Sequence, residues 1–161
     1  MSESARQRLA FEQAQLLGAL VTGATVPTGF DNERVAATAE SLLSKRVRAV
    51  ARAWPRLRRD MNDEFAACFA SYARAHPLTS DGSPLADGRA FIDWLERAGR
   101  LSDEGRLEAF AFDARYLITD DCIRVRRAPL LRALRLHTPR RVIVVLRLPL
   151  VGERWLNIEF L

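Results

Sequence analysis

The residues that could do chemistry are few, and most have a simpler explanation. Carboxylates come in pairs at Asp63/Glu64, Asp103/Glu104 and Asp120/Asp121. Two adjacent acids could share a proton and act as an acid–base couple. The first two pairs, however, sit where a helix begins and its positive N-terminal dipole favours negative charge. The third lies in a turn. His76 and His137 are far apart in the chain with no acid–cysteine cluster near them in sequence. Cys68 falls on the apolar line Phe65, Cys68, Phe69, Tyr72, which reads as a buried thiol. With Cys122 it makes two cysteines, too few for a disulfide framework and without metal-ligand spacing. No Gly-rich phosphate loop, His-Glu-x-x-His, Gly-x-Ser-x-Gly or Cys-x-x-Cys occurs. These residues point away from an enzyme acting alone and give no reason to expect a cofactor or a bound metal.

What remains is charge. The formal net charge is +5, and it is blocked along the chain. Residues 1–44 carry 3 basic and 5 acidic side chains, residues 45–59 carry 7 and 0, residues 60–121 carry 6 and 13, and residues 122–161 carry 9 and 2. Alternating blocks suit electrostatic steering toward a partner better than a uniform basic coat does. The block from Arg46 to Arg59 raises the possibility of phosphate binding. Pro55 interrupts the face on which Arg48, Arg52, Arg56 and Arg59 would align, and no recognition helix or stacking aromatic series accompanies them.

The elements that must position these groups follow from periodicity. A length of 161 residues, 48% of them hydrophobic, can bury a real core. No apolar run approaches the roughly 20 residues of a membrane span, and the polar N-terminus lacks a secretion signal, so a cytoplasmic protein without membrane attachment is expected. Helices are predicted over about 5–21, then from an Asp31 or Asn32 cap to Trp54, where Pro55 disfavours the α region. Further helices run from an Asn62 cap to Ala75, from about Gly88 to Ala98, and from a Ser102 cap to about Leu117. Beyond residue 120 the pattern becomes β: "CIRVRR", "LRALRLH", "RVIVVLRL" and "RWLNIEF", the last two joined by the turn "PLVGE". The expected fold is α+β, with a bundle of about five helices over 1–120 and a small antiparallel sheet of three or four strands over 121–161.

"AWPRLRRDMNDEFAACFASYARAHP", followed by "GRAFIDWL", resembles a widespread bacterial family that bears a DNA-binding label. The matching positions are Trp54-Pro55, Phe65, Tyr72, His76-Pro77 and Phe91, within a similarity spanning roughly residues 8–98. The C-terminal part is similar to short actinobacterial members that add a β segment with a "GERW"-like turn. Members of this family resemble the partner subunits of multinuclear iron oxygenases that modify cysteines in ribosomally made peptides, in methanobactin- and bufferin-type pathways. The resemblance implies a non-catalytic accessory protein, without iron, that forms a heterodimer with such an oxygenase and presents the precursor peptide's leader. A nucleic-acid-binding regulator is the alternative it leaves.

Two surfaces are assigned on this reading. Arg52, Arg56 and Arg59 point outward as the partner-binding group, while Trp54 packs on Phe65 and Phe69. On the strand 141–148, Val142, Val144, Leu146 and Leu148 are placed against the helices, which turns Arg141, Ile143, Val145 and Arg147 outward as the peptide-binding group.

Overall fold

The computed structural model describes residues 3–78, 82–119, 122–137, 140–148 and 152–159. Six helices precede five strands: α1 (Glu3–Thr22), α2 (Asn32–Ala53), α3 (Pro55–Met61), α4 (Glu64–Ala75), α5 (Pro84–Arg97), α6 (Asp103–Arg115), β1 (Tyr116–Thr119), β2 (Cys122–Val125), β3 (Leu130–His137), β4 (Arg140–Leu148) and β5 (Gly152–Glu159). The α+β class and the order of helices before strands are as expected. Among the described residues, no helix is long and apolar enough to cross a membrane.

The caps explain the helix boundaries. Asp31 accepts from the backbone N–H groups of Glu33 and Arg34 at 2.9 and 3.2 Å, satisfying two of the unpaired donors at the start of α2. Ser102 does the same for α6 through Gly105 at 3.1 Å. Pro55 does not leave a mere turn behind it. It occupies the first position of α3, where its missing N–H costs nothing and its fixed φ is already helical. Asn62 is therefore not an N-cap. It closes α3 at φ 48°, donating to the Arg58 carbonyl, and α4 starts at Glu64 behind Asp63.

The helical core is aromatic. Phe69 meets Phe91 edge-on at 5.0 Å, Phe65 stacks on Phe69 at 5.9 Å, and Tyr72 tilts against Phe91 at 5.2 Å. Trp54 is buried, but its ring partner is Phe112 of α6, at 5.1 Å, and not Phe65 or Phe69. α5 crosses the indole at Gly88, where an added Cβ would lie 2.1 Å from the ring; only glycine permits that approach. The indole N–H donates to the Pro84 carbonyl at 3.3 Å.

One arginine of the basic block also turns inward. Arg46 grips both carboxylate oxygens of buried Asp87 at 2.8 Å and donates to the carbonyls of Ala73 and His76. It thereby ties α2 to the end of α4 and to α5, with its charge matched where water is scarce. α1 is held mainly by its last turns; Ala19 is buried while Leu9, Phe11 and Leu17 are exposed.

The strands form two sheets. β1 and β2 pair as an antiparallel hairpin, and β3–β4–β5 form an antiparallel sheet with β4 at its centre. The first strand, Tyr116–Thr119, lies partly where a helix was expected to continue. A second, smaller core fills the space between α6 and the three-stranded sheet: Phe110, Ala114, Leu136, Ile143 and Val145. Asp113 joins the two regions. It accepts two bonds from Arg89 of α5 and one from Arg132 of β3, and Arg132 lies over the Phe110 ring. Burial works against the Arg89 charge, but the paired bonds from Asp113 override it and hold the guanidinium proton more tightly than in ordinary arginine.

Candidate functional site

The face assignment made for β4 is reversed. Ile143 and Val145 are 7% and 0% exposed and pack on α6, whereas Leu146 and Leu148 face solvent. Arg141 and Arg147 therefore lie on the inner face too, with side chains only 22% and 18% exposed. Arg147 donates to Glu153 across the β4–β5 pair at 2.6 Å, and Arg141 stands 3.9 Å from Glu104. The Arg141 Nε is buried with no hydrogen-bond partner. As an outward-facing group, Arg141, Ile143, Val145 and Arg147 do not exist. β4 is also the central strand, with both edges paired, so it cannot accept another strand.

The structure brings some of these residues to a different place. A cleft of about 520 Å³ opens between α3, α6 and the inner face of the sheet near β5. Trp54, Phe112 and Ile143 contribute apolar lining, with Arg56, Glu108 and Arg115 as charged groups and Trp155 on the strand side. Arg56 and Ile143, assigned from sequence to two separate surfaces, thus share one site.

Each polar group here has a visible local cause. Trp54 offers no side-chain cap to α3. Glu108 reaches over from α6 instead and accepts from the N–H groups of Arg56 at 3.1 Å and Leu57 at 2.7 Å. Its carboxylate is fixed at the positive end of the short helix. Arg115 donates to Glu153 at 3.0 Å, and the Trp155 indole N–H reaches the same carboxylate at 3.4 Å. Trp155 meets Phe110 edge-on at 5.9 Å, which stands its ring against the cleft. Sequence reasoning missed Glu108, Arg115 and Trp155, because only the tertiary fold collects them.

Alongside the cleft runs β5, which pairs with β4 on one side and with no described strand on the other. Its unpaired backbone groups pass Trp155, Leu156 and Asn157, which line the cleft. An open strand edge beside a lined cavity can take an extended chain: backbone pairing gives affinity, and alternate side chains enter the cleft.

The arginines of the partner-binding group are all exposed, and among the described residues none forms an ion pair. Arg56 and Arg59 meet at a shallow depression with Asp60, Glu104 and Leu107; Arg52 stands apart at the end of α2. His137 is closer to an acid than its sequence position suggested. Its N–H donates to Asp103 at 2.6 Å, and its exposed ring lies 3.5 Å from that carboxylate. Asp103/Glu104 and Asp63/Glu64 occupy helix starts as expected, and Asp120/Asp121 lie outside the described residues. Among the described residues, no group of three or more His, Cys, Asp and Glu is arranged to hold a metal ion.

The comparisons fit this division of the chain. A UPF0276 protein of Streptomyces avermitilis is 42% identical over 102 residues, which are 63% of this chain and 20% of that protein. The chain therefore spans about a fifth of that relative's length. No solved structure is significantly similar to it. Residues 10–97, which hold the aromatic core except Phe112 together with its Trp54-Pro55 and His76-Pro77 corners, match the SCO6045-like C-terminal domain over more than half of the sequence. The chain belongs to that bacterial family.

Proposed function

We propose that this chain is a non-catalytic accessory protein that binds an iron-dependent peptide-modifying oxygenase together with its precursor peptide. The observation that carries the peptide half is the open edge of β5 beside the cleft. A leader segment pairs antiparallel or parallel to β5 as a fourth strand and sends alternate side chains toward Trp155 and Ile143. Arg56, exposed at the cleft and in no ion pair among the described residues, favours an acidic side chain on the leader there. This moves the docking edge from β4 to β5.

The oxygenase half rests on the resemblance of the helical region to partner subunits of such enzymes. In the Streptomyces relative the matching region is one fifth of a longer protein. Arg52, Arg56 and Arg59 are exposed, but Arg56 lines the cleft beside the peptide edge, so the three do not make one partner surface.

The test is amide hydrogen exchange on the isolated chain with and without a precursor peptide, alongside co-expression and co-purification with an iron oxygenase of the peptide-modifying class. Peptide binding should slow exchange along β5 and leave β3 unaffected, and the isolated chain should carry no iron. Binding that leaves β5 exchange unchanged removes the edge from consideration, and stoichiometric iron in the isolated chain removes the accessory role. Sequence-specific, salt-resistant binding to duplex DNA would replace the whole reading with a nucleic-acid regulator.

A further inference from the structure

The outward face of the β3–β4–β5 sheet is more apolar than a solvated face needs to be. Strand register sets its rows. Leu131 pairs with Leu146 and then Arg154; Ala133 with Val144 and Leu156; Arg135 with Val142 and Ile158. Leu131 is 70% exposed, Leu156 60% and Ile158 46%, with Leu146 and Leu148 above a third. Together they make a run of exposed apolar side chains across the three strands, and such a patch marks an interface chiefly when it is rimmed by polar residues.

Its charges are one-sided. Arg135, Arg140 and Arg154 lie on this face, while the only carboxylates of the three strands, Glu153 and Glu159, lie on the other. Among the described residues none of those three arginines is in an ion pair. Arg154 stands in the row toward one end and Arg135 and Arg140 toward the other, with the Ala133–Val144–Leu156 row between them. An apolar centre with a polar rim is the anatomy of a protein interface, and this rim calls for acids opposite. A second copy would bring three more arginines and no carboxylate. Among the described residues, a lipid surface would be met without any Trp, Tyr or Phe on the face, the side chains suited to that boundary.

We propose that this outer sheet face is where the oxygenase docks, through an apolar patch rimmed with carboxylates, while the peptide occupies the β5 edge. The proposal rests on the accessory reading and adds the surface. It also gives the two partners a reason to meet. Successive residues of a strand point to opposite faces. A peptide strand added to β5 therefore turns every second side chain toward the cleft and the others onto the outer face, against the docked enzyme. Each partner then strengthens the binding of the other.

The variants Leu131→Asp and Arg135→Glu test this, since both sit on β3, two strands away from the open edge of β5, and both side chains are exposed. Each should weaken the oxygenase complex about tenfold or more, as loss of an interface anchor does. The isolated variants should keep the wild-type melting curve and bind the precursor peptide with unchanged affinity. An oxygenase complex of undiminished affinity in both variants overturns the proposal. So does a wild-type homodimer in sedimentation that Leu131→Asp dissociates, or binding to phosphatidylglycerol vesicles that Leu131→Asp abolishes. If the wild-type chain binds no oxygenase, the accessory reading has failed before any substitution is made, and this surface fails with it. If the wild type binds and both variants bind equally, only the surface is wrong.

Discussion

The helical region and the strand region solve the burial problem differently. The helices close around two ring groups, Trp54 on Phe112 and Phe65, Phe69, Tyr72 and Phe91 on one another, carried by α4, α5, α6 and the α2–α3 junction, with a matched ion pair, Arg46–Asp87, at the margin. The three-stranded sheet has one buried face, whose core is five residues supplied partly by α6, and leaves its other face exposed and its edge strands β3 and β5 each paired on one side only among the described residues. A closed aromatic core concentrates buried area in the helices. A sheet with an unpaired edge and an apolar outer face keeps capacity for binding. On the proposed function, the difference separates stability from recognition: the first falls to the helices, the second to the sheet and to the cleft where the two regions meet.

The largest effect that would break this comparison lies in the helical core. Phe91 is fully buried and touches Phe65, Phe69, Tyr72 and Trp94. Phe91→Ala removes the ring at the centre of that cluster and should cost about 3–5 kcal/mol, lowering the melting temperature by roughly 10 °C or more. Calorimetry measures it directly. A loss below about 1 kcal/mol would mean that the cluster collapses around the gap and that the core is not the close-packed unit described.

The second effect is local. Ile143 fills the small core under the sheet but also lines the cleft, so its neighbours can relax toward open space. Ile143→Ala should cost about 2 kcal/mol, the low end for such a truncation. Its signature should be faster amide exchange through β3, β4 and β5 with α4 and α5 unaffected. Equal acceleration in both regions would show a single cooperative unit and erase the contrast.

How much of this was legible in the sequence depends on what kind of signal each feature leaves. The caps at Asp31 and Ser102 were readable because one side chain and two or three neighbours suffice to specify them. α3 was not, because Pro55 carries two opposed meanings: it ends the helix before it and can begin the next. Strand β4 was readable as a strand, but its orientation was not. Val142, Val144, Leu146 and Leu148 on one face, and Ile143 and Val145 on the other, give periodicity almost no preference. The outcome was decided by what α6 presents, Phe110 and Ala114, and by Glu104 and Glu153 waiting for the arginines of the inner face. The cleft left no local trace at all. Glu108 caps a helix some fifty residues away in sequence, and Trp155 reaches it only through the β4–β5 register.

The smallest effect sharpens the helical side by pH. Tyr72 is buried among Phe69, Phe91 and Trp94. Burial raises its phenol above the ordinary value of 10.0, the Asp87 carboxylate raises it further, and Arg46 partly offsets both. The sign of the linkage follows. Below pH 10 the phenol is protonated in the folded and the unfolded chain alike, and its preference for the neutral form costs nothing. As pH rises past 10 the unfolded chain releases this proton while the folded chain retains it, so stability falls until the folded group also ionises. Wild-type stability should therefore decline above pH 10 with a slope that Tyr72→Phe makes shallower, because phenylalanine keeps the ring and has no proton to lose. Chemical denaturation at pH 8 and at several values above 10 compares the two chains. Parallel curves for wild type and Tyr72→Phe would mean that the hydroxyl reaches water in the folded state and that the aromatic core is open at this corner.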